Sequence, residues 1–328
     1  MLTIGLLGAG RIGRIHGGNI AGHPKARLVA VADASAAAAE ALASETGAKT
    51  ASIEAILADR SIGAVVICTP TDMHADLIEA AAKAGKAVFC EKPVDLNAER
   101  IRACLRVVDK AGVPLMIGFN RRFDPNFASV RQRIAAGEAG KVELVTILSR
   151  DPNPPPAEYV ARSGGLFRDM MIHDLDMARF LIGEEPVEVH AVGSSLVDPA
   201  IGKAGDVDTA AVLLKTASGK ICQISCSRRA TYGYDQRIEV HGSKGMIRAG
   251  NVHNTTVEVA NGAGVHADPV QNFFLERYAA AYRIELASFI AAVESGARPS
   301  PSGDDGLKAQ ILADAATQAC FSGGPVQL

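Results

Sequence analysis

From residue 1 to about 120, short and almost continuously apolar runs alternate with segments of helical period. The runs 3–7, 27–32, 64–68, 87–90 and 115–118 lack the apolar/polar alternation of a half-exposed strand, which predicts parallel strands covered on both faces. Between them, residues 34–45, 74–84 and 97–111 carry alanine-rich faces and predict the covering helices. After Asn120 the pattern changes. Longer strand-like runs follow one another at 142–150, 187–195, 209–215, 220–228 and 236–240, joined by turns such as Ala217-Ser218-Gly219, and an antiparallel sheet is expected. Residues 167–181 have helical period, and helices at about 278–295 and 304–319 close the chain around Pro299, Pro301 and Gly303. The expected fold is therefore α/β. A domain of the Rossmann type spans residues 1–121, and a second α/β domain with a large open, mainly antiparallel sheet spans 122–328, its last helices able to pack back on the first domain.

At 328 residues and 48% hydrophobic composition, the chain has ample material for two cores. Thirty-four basic and thirty-six acidic side chains leave a formal charge of −2, with no Lys/Arg run to mark a nucleic-acid or anionic-membrane partner. The first strand starts at Thr3 and no apolar stretch approaches the roughly 20 residues of a membrane span, so a cytoplasmic protein is expected. Six scattered cysteines read as small hydrophobes. Cys222 and Cys226 stand four apart on an expected strand, about 13 Å, too far to chelate one metal, so none is expected.

Gly8-Ala9-Gly10-Arg11-Ile12-Gly13 follows the first strand and opens a helix. Gly8 permits the tight turn, Gly10 lets backbone approach a pyrophosphate, and Gly13 lets helix and sheet pack closely. The N–H groups of Arg11 and Ile12 then lie at a helix start, where phosphate is attracted. Asp33 ends the second strand and can accept from both adenosine ribose hydroxyls. Residues 34–38 hold no Arg or Lys for a 2′-phosphate, so NAD is expected over NADP.

Thr69, Pro70 and Thr71 follow the third long strand and His74 opens the next helix, at the sheet edge where ligands of this architecture bind. Thr71 or Asp72 can also simply cap that helix. Glu91-Lys92-Pro93 closes the run 87–90 and puts a lysine between a buried strand and a rigid proline. Asp169 and His173 stand four apart after Gly164-Gly165, and Asp176 continues their helix face. Such a set suits hydride chemistry. A neutral His173 takes the hydroxyl proton, Lys92 steadies the developing alkoxide, and Asp169 orients the imidazole.

Taken together, these motifs resemble the glucose–fructose oxidoreductase/inositol dehydrogenase superfamily over essentially the whole chain. Segments 118–125, 149–152 and 228–235 are similar to its inositol-dehydrogenase branch. The resemblance implies NAD-dependent oxidation of a small polyol at a secondary ring hydroxyl, with myo-inositol giving 2-keto-myo-inositol, and scyllo-inositol or an aldose as rivals. It implies catalytic roles for Lys92, Asp169 and His173, cofactor contacts from Gly8, Gly10, Arg11, Ile12, Asp33, Thr69, Pro70, Thr71, His74 and Glu91, and substrate contacts from Arg122, Asp151, Asp176 and Tyr234. It further implies a homo-oligomer, commonly a tetramer, formed through the open sheet. Some members of such families act instead as dinucleotide-sensing regulators, a class that has no use for an acid/base set.

Overall fold

The apolar runs of the first 120 residues form β1 (Leu2–Leu7), β2 (Ala26–Ala32), β4 (Ala64–Ile67), β5 (Ala87–Glu91) and β6 (Leu115–Gly118), with a short edge strand β3 (Lys49–Thr50) added. In this computed structural model all 328 residues are described, residues 157 and 161 by backbone alone. The six strands pair in parallel in the order β3-β2-β1-β4-β5-β6. That is the doubly wound order of a Rossmann sheet, whose topological switch point lies between β1 and β4. Helices α1 (Arg11–Ala21), α2 (Ala36–Thr46), α3 (Ile53–Ala58), α4 (His74–Lys83) and α5 (Ala98–Ala111) connect the strands. Local chemistry sets several of their ends. Ser35 accepts from Ala38 N–H to start α2, and Asn97 accepts from Glu99 and Arg100 N–H to start α5, which Gly112 ends in a left-handed conformation.

The chain divides into two compact units, one of residues 1–123 and 281–310, the other of 124–280 and 311–328. The first unit's core holds Ile4, Leu6, Val31, Leu42, Val66, Phe89 and Met116, joined by Leu286, Phe289 and Ile290 from the C-terminal part of the chain.

In the second unit, α6 (Pro125–Ala135) starts with Asp124 capping Asn126 and Phe127 N–H. Next come β7 (Val142–Arg150), α7 (Ala157–Ser163), α8 (Ile172–Ile182), β8 (Pro186–Ser194), α9 (Pro199–Lys203), β9 (Thr209–Thr216), β10 (Ile221–Ser227), β11 (Asp235–Gly242) and β12 (Gly245–Ala249). A hairpin of β13 (Glu258–Asn261) and β14 (Gly264–Ala267) and the helices α10 (Phe274–Arg277), α11 (Ala279–Ser295) and α12 (Gly303–Ser322) lead to β15 (Val326–Gln327). The sheet runs β12-β11-β7-β10-β9-β8-β15. It is mainly antiparallel, as expected, and within it β7 and β10 pair in parallel. One face, with Val145, Ile147, Val212, Leu214 and Ile224, is buried, and α8 packs on β7 and β10.

The segment expected as one helix over 167–181 is broken. Gly164 and Gly165 are both left-handed, at φ +86° and +81°, and residues Leu166–Met170 form a π turn closed by Met171 N–H donating to the Leu166 carbonyl at 2.9 Å before α8 begins. The wider turn alters the simple one-face relation expected from a spacing of four between Asp169 and His173. Among the described residues, no helix is long and apolar enough to cross a membrane.

Candidate active site

Gly8 leaves β1 at φ +99°, and a Cβ there would meet the Cys68 carbonyl oxygen at 2.5 Å, so the turn requires glycine and lies directly against the end of β4. Gly10 differs: a Cβ there would have nothing within 4 Å. No packing demand explains that glycine, whereas a pyrophosphate approaching the backbone does. Gly10 is also the N-cap of α1, giving no side-chain hydrogen bond, and no acidic residue stands in the first turn. The N–H groups at Arg11 and Ile12 thus present positive potential suited to phosphate. Asp33 is tied to this turn, accepting from Ala9 N–H at 2.6 Å and Ser35 N–H at 2.7 Å. A carboxylate has about four acceptor sites, so lone pairs remain for ribose hydroxyls. The residues present fit NAD.

Across the switch point, the Thr69 hydroxyl oxygen is buried without a protein partner, an orphaned polar atom at the end of β4 that a bound polar group would satisfy. Pro70 is exposed, and Thr71 opens a 3₁₀ turn ahead of α4. His74 is buried, with Nδ1 2.7 Å from the Pro93 carbonyl oxygen and Nε2 2.8 Å from that of Thr69. It therefore ties the 69–71 loop to the Lys92-Pro93 loop. Burial draws its pKa down, against the pull of the two carbonyls.

Glu91 turns inward from β5, its Oε1 2.7 Å from His16 Nε2 on α1. Glu285, on α11, is fully buried with both carboxyl oxygens lacking a partner, and burial followed by the nearby Glu91 pushes its pKa well above the usual carboxylate range. Lys92 follows, half-buried, its peptide bond to Pro93 cis. Neither His16 nor Glu285 was expected. His16 had a signal: it shares one α1 face with the buried Gly13, Gly17 and Ile20.

The second unit gathers the other chemistry. His173 stands half-buried in the first turn of α8, and Asp169 in the π turn before it. The Asp169 carboxylate accepts from Tyr159 Oη at 3.1 Å and lies 3.5 Å from the Arg228 guanidinium, which is 3.9 Å from Asp151. Asp206 accepts from Leu166 N–H at 2.9 Å and crowds Gly165, where a Cβ would meet its Oδ1 at 2.6 Å. Burial pushes Asp206 up, the Val207 and Leu166 N–H groups and Arg228 draw it down, and Asp169 raises it again. Arg228 and Asp206 were not anticipated, although Arg228 opens the segment 228–235 noted above.

Asp176, on α8, is buried and 3.5 Å from Arg179, which forms a fork with Glu185 at 2.7 and 2.8 Å. Arg122 belongs to the first unit, where its guanidinium lies 3.0 Å from Asp305. Tyr234 is buried with its ring edge-on to Tyr278, while its neighbour Tyr232 is half-exposed and donates to Asp235 at 2.6 Å.

A parallel sheet with a glycine turn at its switch point and a lysine one strand further on defines an NAD-binding oxidoreductase. Residues 2–119 match the model of the oxidoreductase family with NAD-binding Rossmann fold, and residues 127–248 match the GFO/IDH/MocA C-terminal domain. The chain belongs to the GFO/IDH/MocA oxidoreductase family. It is 61% identical to the inositol 2-dehydrogenase of Rhizobium meliloti (strain 1021) over 97% of this chain and 96% of that one. It is 47% identical to the myo-inositol 2-dehydrogenase of Thermotoga maritima, over 96% and 95%. Among solved structures, the scyllo-inositol dehydrogenase of Lactobacillus casei with bound NAD(H) and scyllo-inositol matches with a TM-score of 0.93 at 32% identity, over 100% of this chain and 99% of that one.

Proposed function

We propose that this enzyme oxidises the axial C2 hydroxyl of myo-inositol to the ketone, giving 2-keto-myo-inositol with NAD as acceptor. The observation that carries this is 61% identity, spread over 97% of the chain, to an inositol 2-dehydrogenase. The T. maritima relative named for myo-inositol stands at 47% identity, above the 38% and 32% of relatives named for scyllo-inositol, which favours myo-inositol over its epimer.

When bound, NAD⁺ supplies the acceptor for the hydride that leaves C2. The turn at Gly8–Gly13 and the α1 N-terminus would hold its pyrophosphate, and Asp33 its adenosine ribose. Thr69, Pro70 and Thr71 line the loop at the switch point, which His74 holds in shape. Toward the substrate, His173 accepts the C2 hydroxyl proton through a neutral imidazole nitrogen. Lys92 donates a hydrogen bond to the same oxygen as charge builds on it, and Asp169 favours the imidazolium that results. Arg122, Asp151, Asp176 and Tyr234 are assigned to the remaining ring hydroxyls.

The same proposal includes a cytoplasmic enzyme, in keeping with six free thiols, and a homo-oligomer, commonly a tetramer. A second copy would cover the outer face of the seven-stranded sheet. That face exposes Leu144 (36%), Ile221 (42%), Met246 (47%), Leu213 (47%) and Val192 (69%) on neighbouring strands, more apolar surface than a solvated sheet face needs.

The test is NADH formation from a panel of myo-inositol, scyllo-inositol, an aldose and a linear polyol. The highest kcat/KM is expected for myo-inositol. A higher value for an aldose or linear polyol would overturn the substrate and leave the dehydrogenase standing.

A further inference from the structure

Arg228 is the most deeply buried cation among the charged groups around Asp169. Its side chain is 3% exposed, and its Nε is buried without a partner. A guanidinium removed from water in this way is costly unless anions compensate it. The sheet topology supplies them. Because β7 and β10 run parallel, both end at the same edge, with Ser227 beside Arg150, and Asp151 N–H donates to the Ser227 carbonyl at 3.0 Å. Asp151 and Arg228 are thus the first residues past two adjacent strand ends. The Arg228 backbone is pinned in turn, its N–H donating to the Asp208 carbonyl at 2.8 Å. Against this guanidinium, at 3.5 Å, lies the Asp169 carboxylate, carried by the π turn whose Leu166 N–H donates to Asp206.

We propose that Arg228 is a positioning residue for the oxidation: its fork fixes the Asp169 carboxylate, with Asp151 as the second anion, so that Asp169 is presented in one orientation during proton transfer. This inference rests on the roles proposed above for Asp169 and His173. Arginine suits the task because its rigid planar fork can orient two carboxylates, which a lysine point charge cannot. Asp206 adds a third negative group beside the cluster, which makes the arginine charge more necessary there.

The experiment is a double-mutant cycle on the full-length enzyme with NAD and myo-inositol, using Arg228→Gln, Asp169→Asn and the pair. Misorienting a group in the reacting set costs up to about 100-fold. Arg228→Gln is therefore expected to lower kcat by about 10- to 100-fold with KM for NAD unchanged, and Arg228→Lys to recover part of the loss. The double variant is expected to be no slower than Asp169→Asn alone. A merely structural arginine would lower the melting temperature and leave kcat per folded enzyme intact, which would overturn the proposal. Penalties that multiply in the double variant would overturn it too, leaving Asp169 in its role. Wild-type turnover by Asp169→Asn would instead remove the proposed role of Asp169, and the Arg228 proposal with it. Should Arg228→Gln not fold, Arg228→Lys carries the test, and wild-type kcat in that variant refutes the need for a fork.

Discussion

Lys92 emerges from β5 with its neighbour Glu91 turned inward to His16 and with the Pro93 carbonyl held by His74. Its backbone is thereby anchored on both sides, which is what a side chain aimed at one oxygen needs. Lys92→Ala should lower kcat by about 10² to 10³, the cost of losing a donor to a developing oxyanion. NAD affinity, followed by fluorescence titration, should change little. A folded variant with near-wild-type turnover would take Lys92 out of the mechanism.

Behind Glu91, the buried Glu285 gives a stability signature. Its folded pKa is raised by burial and by Glu91, so as pH rises the unfolded chain releases the proton first. Stability contributed by the neutral carboxyl is therefore present at low pH and lost above the ordinary carboxylate range, by up to about 1.4 kcal/mol for each pH unit up to the folded pKa. Glu285→Gln keeps the shape and removes the titration. Its melting temperature should gain on the wild type progressively as pH rises above the ordinary carboxylate range. A difference that stays constant with pH would mean that Glu285 is ionised in the folded enzyme.

At the scale of elements, the NAD-binding fold was legible because its signals are local. A buried parallel strand must be apolar throughout, and a glycine turn between strand and helix leaves few alternatives. Asp33 follows the second such strand and accepts from Ala9 N–H in the glycine turn. Replacing Asp33 with Ser and Ala34 with Arg should exchange a ribose acceptor for a phosphate partner and raise the NADP/NAD ratio of kcat/KM. A wild type already preferring NADP would contradict the assignment of Asp33.

What remained hidden was set by contacts distant in sequence or by backbone detail. Glu91 and His16 are 75 residues apart, and only the folded sheet brings them together. The parallel pairing of β7 with β10 leaves no mark on the sequence, since apolar alternation reports which face is buried and not which way a neighbour runs. Arg228 was therefore invisible as the partner of Asp169 and Asp151. The π turn over Leu166–Met170 was masked by residues whose spacing reads as ordinary helix, and its cause lies in Gly164, Gly165 and the Asp206 carboxylate. The edge strand Lys49–Thr50 is too short, and α3 too brief, to give a periodic signal.

For the whole molecule, the seven-stranded sheet's outer face should decide assembly. Leu213→Asp with Ile221→Asp places charges on adjoining strands of that face, since Leu213 and Lys215 of β9 flank the Gln223 and Ile221 positions of β10. Light scattering should report a smaller particle than the wild type, because an apolar interface does not tolerate unpaired buried charge. An unchanged mass would move the interface elsewhere on the chain.

The central claim, hydride transfer from one ring carbon of a cyclic polyol to the nicotinamide, is tested most directly by following the label from myo-inositol deuterated at C2. The expected result is one deuterium in the NADH formed, a slower chemical step than with the protiated substrate, and no label transferred from deuterium at any other ring carbon. NADH free of deuterium from the C2-labelled substrate, or labelled from a different carbon, would contradict it.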